Sequence, residues 1–231
     1  MIPSIERLAE STFRTKNIDC IKIRRAQPGD AEEISNLYRR SFPEHILVHQ
    51  GILSDPDKME EQLKVPNKYW LVAEEKGDIC GCAAIEVADW NKAAEIERVV
   101  VDERHRGNGI ATDLCKELTS VAETIGVEYI FAHCRGPEIG MQRALEKQNF
   151  EVMGIMPVFH VVHNGKVIRE NFVYMAKLLN NAWVNIESKD ELIPAAEAVR
   201  IAIKQPYRVA EALEGYKPRE RDIGNTQSGC G

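Results

Sequence analysis

A strand that runs into a basic, glycine-broken loop and then into an amphipathic helix constrains this chain more than any other feature. Val99-Val100-Val101 has strand character, and Arg104-His105-Arg106-Gly107-Asn108-Gly109 forms the loop. The helix that follows carries Ile110, Ala111, Leu114, Cys115, Leu118, Val121 and Ala122 on one side. The first turn of a helix presents backbone N–H groups without intrahelical acceptors, together with the positive end of the helix dipole. Glycines at 107 and 109 let the main chain close on phosphate oxygens with no Cβ in between, and Arg104 and Arg106 add charge. The predicted guest is a diphosphate. A P-loop would need Gly-Lys-Ser/Thr where this chain has Gly109-Ile110-Ala111. A dinucleotide fold would need a third glycine at Thr112 and an acidic residue closing the next strand, which instead ends Ala132-His133-Cys134-Arg135.

The surrounding pattern sets that loop in a sheet. Residues 19–26, DCIKIRRA, read as a strand, and Gln27-Pro28-Gly29-Asp30 as a turn into a helix with Ile34, Leu37 and Tyr38 on one face. Further helical turns are expected over 44–64, broken at Ser54-Asp55-Pro56. Three extended segments, 69–75, 78–90 and 93–102, are separated by breaks short enough for hairpins. Gly126 stops the helix after the basic loop, VEYIFAHC is another strand, and MQRALEKQNF closes a shorter helix. Asn164-Gly165 joins the last two strands and is the strongest hairpin signal in the chain. The order predicts a mixed α/β sheet over 19–180 flanked by helices. Residues 1–18 are expected as a helical extension. Residues 181–231 are expected as an appendage, in which LIPAAEAVRIAIK is an amphipathic helix and the polar end is disordered. Its helical face, Leu192 to Ile203, is a candidate surface for a homodimer.

Composition narrows the partners. A net charge of −6 argues against a general nucleic-acid binder, because phosphate neutralisation needs a basic surface. No run approaches 18 apolar residues, so no membrane partner is expected, and MIPSIERLAE lacks the apolar core of a secretory signal. The reducing cytoplasm is the expected location, with the six cysteines unpaired. Cys80-Gly81-Cys82 has the wrong spacing for a zinc site, and His45 with His49 at i, i+4 lacks a third ligand, so no metal is expected.

The stretch EIERVVVDERHRGNGIATDL, residues 95–114, resembles the acetyl-CoA-binding motif of the GNAT superfamily of N-acetyltransferases. Arg104, Gly107 and Gly109 meet its Q/R-x-x-G-x-G/A signature, and ALEKQNF is similar to the family's Y-E-K-L-G-F ending. The resemblance implies a GNAT-like fold and acetyl-CoA as co-substrate. It implies that the backbone of Arg104, His105, Arg106, Gly107, Asn108 and Gly109, running into Ile110 and Ala111, binds the CoA diphosphate. It also implies that Val99, Val100 and Val101 hydrogen-bond the pantetheine arm like an added strand. That strand would splay from the one at 127–134 and leave a gap for the thioester.

Acetyl transfer requires a neutral amine, and a lysine-like amine has a pKa near 10.4, so a base is needed. Glu95 and Glu97 alternate with Ile96 and Arg98, which puts both carboxylates on one side of the strand, where either can take the proton. The family pattern is broken in three places: Leu145 stands where many members carry a tyrosine proton donor, Glu138 where they carry asparagine, and Asn149 where they carry glycine. Cys134, His133, Tyr129 and Tyr174 are substitutes for the missing donor, each equally readable as packing. The alternative is a non-catalytic acyl-CoA-binding module. The acceptor is a small-molecule amine or a peptide amine: an amino acid, a polyamine, an antibiotic amine and a protein N-terminus or lysine all fit. The acidic residues Glu44, Asp55, Asp57, Glu60 and Glu61 would suit a cationic one.

Overall fold

The computed structural model describes residues 16–18 and 21–180. The predicted helix over 192–204, most of the predicted N-terminal extension, Cys20, Cys230 and Trp183 lie outside the described residues. Lys16–Ile18 are a strand, β1, and not the end of a helix. They pair antiparallel with β2 (Ile21–Arg25), whose free edge offers backbone partners that an isolated helical turn would lack.

After a short 3-10 turn at Pro28–Asp30, the chain forms α1 (Ala31–Ser41), α2 (Ile46–His49) and α3 (Pro56–Leu63). Asp55 caps α3 through Asp57 N–H at 3.0 Å, with Pro56 in the first turn, which accounts for the break at 54–56. The meander follows as β3 (Lys68–Glu75), β4 (Asp78–Ala88) and β5 (Ala93–Val101). Then come α4 (Ile110–Thr124), β6 (Tyr129–Arg135), α5 (Ile139–Glu146), β7 (Glu151–His163) and β8 (Lys166–Leu178). Asn164 and Gly165 both have positive φ, as a two-residue turn between twisted strands requires. Asn149 takes the left-handed conformation that ends α5, φ 63°.

The eight strands form one sheet in the order β1-β2-β3-β4-β5-β6-β8-β7, antiparallel at every pair except β5–β6. Both faces are covered. Ile34, Leu37 and Tyr38 of α1 pack with Leu53 and Met59 against Trp70, Val72, Cys82 and Ala84. On the other face Leu114, Cys115, Leu118 and Ala122 of α4 pack against Leu71, Ala73, Ile85 and Ile96. Gly81 of β4 faces the start of α4, where an added Cβ would stand 3.1 Å from Ile110 and 3.3 Å from the Val100 carbonyl, so the helix start sits down on the sheet.

Two irregularities in β5 create the site. Cys82 pairs with Val100 and Ala84 with Glu97, so Arg98 and Val99 together oppose the single residue Ala83, and Arg98 has φ 58°. This β-bulge resets the alternation: Val100 belongs to the α1 side of the sheet, while Val99 and Val101 pack on the α4 side. A left-handed non-glycine residue costs ~1–2 kcal/mol, and the Tyr38 hydroxyl, donating to the Arg98 carbonyl, holds the conformation from α1. The second irregularity is the splay. β5 pairs with β6 only from Ala93–Glu95 to Tyr129–Phe131, whereas β6 continues along β8 as far as Arg135. Beyond Glu95 the two central strands part.

Candidate active site

Two cavities open where β5 and β6 separate. The larger, about 320 Å³, lies between the glycine loop and α5; the smaller, about 160 Å³, lies on the opposite side of the parted strands under α1. Phe42, Val99, Glu138 and Met141 line both, so a ligand extended through the first arrives at the second.

Val99, Val101, His105, Arg106, Gly107, Gly109, Ile110 and Ala111 line the larger cavity, which brings together most of the residues expected to hold coenzyme A. Gly107 and Gly109 have φ 85° and 83°, and a Cβ at Gly107 would meet nothing within 4 Å, leaving the backbone open to the cleft. No side chain caps α4 at Gly109, so its first-turn amides are available to an anion.

Of the expected residues, Val100, Arg104 and Asn108 do not line this cavity. Asp102 accepts from Arg104 N–H at 3.0 Å, Arg104 Nε at 3.0 Å and Arg104 Nη2 at 3.2 Å, and the arginine side chain turns outward, 79% exposed. His105 N–H donates to the Asp102 carbonyl and Arg106 N–H to that of Glu103. The amides of residues 104–106 are therefore engaged within the loop. These bonds, with Arg40 Nε at 2.7 Å, hold the Asp102 carboxyl well below the usual carboxylate range. Val100, 1% exposed, is a core residue. Positive charge enters the cavity from a direction the loop motif does not reveal, since Arg143 of α5 and Lys147 just after it line its other wall.

The smaller cavity contains Glu95 and Glu97, and the bulge brings Arg98 to the same wall, 3.5 Å from Glu97 Oε2. The strict alternation expected for this strand fails at that residue. The two carboxylates differ in their partners. Glu97 Oε1 stands 2.5 Å from Lys68 Nζ, and that lysine also reaches Glu86 at 2.9 Å. Glu95 Oε1 has the His133 Nδ1 at 2.8 Å. Glu138 reaches the cavity too, 3.7 Å from Arg135, whose guanidinium is bound in bidentate fashion by Glu170 at 2.6 and 2.9 Å.

His45 does not share a helix face with His49. It is the residue before α2, with extended backbone, and its Nδ1 accepts from Leu47 N–H at 3.0 Å. The neutral ring thus carries its proton on Nε2. Its ring meets that of His160 edge-on, 4.0 Å between centroids. Burial pushes His45 down to about 3 and His160 down to about 4, and the charges of Arg98 and Arg135 act in the same direction. Both are neutral at pH 7. Glu44, Asp55, Asp57, Glu60 and Glu61 line neither cavity.

The substitutes for the missing tyrosine sort themselves. Leu145 is fully buried against α4 and β6. Cys134 packs in the same core, where burial pushes its thiol up to about 12, unsuited to nucleophilic attack or rapid proton donation. Tyr129 and Tyr174 are hydrogen-bonded to each other at 2.6 Å, and Tyr174 stacks on His133. Among the described residues no group of three or more His, Cys, Asp or Glu is arranged to hold a metal ion, and no helix is long and apolar enough to cross a membrane.

A parted sheet with an uncapped glycine loop on one side and carboxylates on the other is the geometry on which the comparisons with known proteins bear. The model of the acetyltransferase (GNAT) family matches residues 31–150, and the chain belongs to that family. Solved structures agree on the fold. A GNAT acetyltransferase from Streptococcus pneumoniae is 23% identical with a TM-score of 0.57, covering 69% of this chain and 99% of that one. A phosphinothricin acetyltransferase from Sinorhizobium meliloti in complex with acetyl-CoA is 18% identical, TM-score 0.61, covering 74% and 94%. The ribosomal-protein-S5-alanine acetyltransferase from Vibrio fischeri is 15% identical, TM-score 0.59, covering 73% and 98%. Among curated proteins none matches the sequence.

Proposed function

We propose that this chain transfers the acetyl group of acetyl-CoA to the primary amine of a small molecule, by direct attack of the amine on the thioester. One observation carries the reading: the glycine-loop cavity and the carboxylate cavity meet at the parting of β5 and β6, through the shared wall of Phe42, Val99, Glu138 and Met141.

The amides from Gly107 into the first turn of α4 would hold the diphosphate, with Arg106 and the exposed Arg143 and Lys147 supplying charge. The edge of β5 that β6 vacates would offer its main chain to the pantetheine arm, and an amide there would be available to the carbonyl oxygen as it gains charge. When bound, acetyl-CoA supplies the activated acyl group; this chain's residues position it and handle protons. Glu95 is the better base of the two carboxylates. Lys68, 2.5 Å away, neutralises Glu97, whereas Glu95 shares only an imidazole and can take the amine proton. The departing thiol, with a pKa near 8.5 like free cysteine, leaves as thiolate without a dedicated donor at Leu145.

The test is thiol release from acetyl-CoA by the purified protein across a panel of primary amines, beside calorimetry with coenzyme A. Turnover on at least one amine is expected. Tight coenzyme A binding with no turnover on any amine would make the chain an acyl-CoA-binding module instead, and no heat from coenzyme A or its acetyl form would remove the reading altogether.

A further inference from the structure

The smaller cavity has two poles, and they ask for opposite charges. Of its cations, Arg135 is taken up by Glu170 and stands over the ring of Phe42 at 5.5 Å. Arg98 is not taken up in this way: its Nε is buried without a hydrogen-bond acceptor, and its contact with Glu97 is ionic, at 3.5 Å. Of the carboxylates, Glu97 is held by Lys68 and Glu138 lies near Arg135, whereas Glu95 has only the His133 ring. Arg98 and Glu95 are therefore the most weakly paired cation and carboxylate of the cavity, Arg98 with the 3.5 Å ionic contact to Glu97 and Glu95 with the His133 ring. Both line the same cavity from one strand, so the amine and the carboxylate of one small molecule can each meet one of them.

The walls between the poles sharpen the demand. His45 and His160 are neutral, and Tyr38, Leu53 and Phe172 complete a weakly polar lining in which both poles act at short range with little screening. At about 160 Å³ the cavity holds roughly five water volumes, and it is smaller than the ~300–1,000 Å³ of sites for drug-sized ligands. A long polyamine would need a second cation-seeking group and would leave Arg98 unanswered.

We propose that the acceptor is a small amino acid bound as its zwitterion, its carboxylate on the guanidinium of Arg98 and its amine on Glu95. This rests on the acetyltransferase reading above and names the substrate class of that site. Arg98 is then the specificity residue, and the bulge that turns it to the pocket is part of the recognition device. In the reaction the amine nitrogen of the amino acid bonds to the acetyl carbon as the carbon–sulfur bond breaks. Glu95 takes one proton from the bound ammonium to free the nucleophile, the electron pair of the broken bond leaves on sulfur, and the second nitrogen proton passes to that thiolate.

The experiment compares pairs that differ only in the carboxylate, L-lysine with cadaverine and L-leucine with isoamylamine, by kcat/KM in the wild type, Arg98→Gln and Arg98→Lys. Acetyl-CoA calorimetry verifies that each variant is folded. The wild type is expected to prefer the amino acid of at least one pair by about ten- to a hundredfold, the range of one charge-assisted hydrogen bond. Arg98→Gln should shrink that preference to less than about threefold, through KM, and Arg98→Lys should restore part of it. Equal or better turnover of the carboxylate-free partners leaves the transferase intact and overturns the zwitterion, as does an undiminished preference in Arg98→Gln. If no amine turns over, the transferase reading fails. Calorimetry of L-lysine and L-leucine on the CoA-loaded protein then decides: heat that vanishes in Arg98→Gln upholds the pocket, and no heat from either overturns it.

Discussion

Replacing Glu95 and Glu97 one at a time by glutamine should break two different things, although the residues are neighbours on one wall. Glu97 is 14% exposed and its partner Lys68 only 7%. Glu97→Gln removes the nearer of the lysine's two carboxylates and leaves Glu86 at 2.9 Å, so a buried ammonium loses part of its compensation. The loss of a hydrogen bond to a buried charged group is worth about 1–3 kcal/mol, which for a domain of this size lowers Tm by roughly 2–12 °C. Turnover should fall less than about tenfold. Glu95→Gln loses only the contact with His133 and should melt within a few degrees of the wild type, while kcat falls by about 10²–10⁴, the usual worth of a general base. The pH profile separates a missing base from a displaced substrate. A lysine-like amine is ~0.1% neutral near pH 7.4, so without the base log(kcat/KM) should climb by about one per pH unit from 7 to 9, a slope the wild type lacks. Differential scanning fluorimetry and thiol-release kinetics on the same preparations provide both readings. A Glu97→Gln protein that is inactive yet melts normally, beside an active Glu95→Gln, would refute the assignment and the pairing argument behind it.

Gly107→Ala forces an L-residue to φ 85°, at ~1–2 kcal/mol, and should weaken coenzyme A binding or lower Tm by an equivalent amount, read by calorimetry and melting together. Arg104→Ala should leave coenzyme A affinity within about twofold, because its amide and guanidinium already serve Asp102, whereas Lys147→Ala should weaken binding severalfold and reduce its salt dependence. Acid should destabilise the fold through the paired histidines. Their folded pKa values, about 3 and about 4, lie below the unfolded value near 6.5, so their contribution is complete above pH 6.5 and is lost as pH falls toward 4. Urea midpoints between pH 7.5 and 4.5 should therefore drop less steeply in His160→Asn than in the wild type.

The order of elements along the chain and the helix faces are legible in the sequence because they rest on periodicity: apolar residues of α4 recur at helical spacing, and Asn164-Gly165 has one good conformation. The glycine loop is legible for the same local reason. What escapes sequence reading depends on contacts between distant residues. Nothing near Arg98 announces a bulge, since the register is set by β4 and by the Tyr38 hydroxyl, sixty residues away. Arg104 looks like a phosphate ligand until Asp102 and Arg40 are placed beside it. His45 looks like half of an i, i+4 pair until the turn at Phe42–His45 brings it against His160 instead. Lys16–Ile18 read as helical because a three-residue edge strand has no pattern of its own. Arg143 and Lys147 carry a signal, two cations one turn apart at the end of a helix, but only the placement of α5 across from the glycine loop gives that signal a meaning.

The extra residue at Arg98 also divides β5 into two stretches whose inside and outside are defined independently. Upstream side chains can diverge while Val99 and Val101 keep facing the glycine-loop cavity, since no shared alternation links them. A deletion of one residue between the two stretches is another matter, because it would rejoin them in a single phase and turn either the acidic wall or the valine wall inside out. Lineages descended from this architecture should therefore vary freely in residue type just ahead of the kink while hardly ever varying in length there.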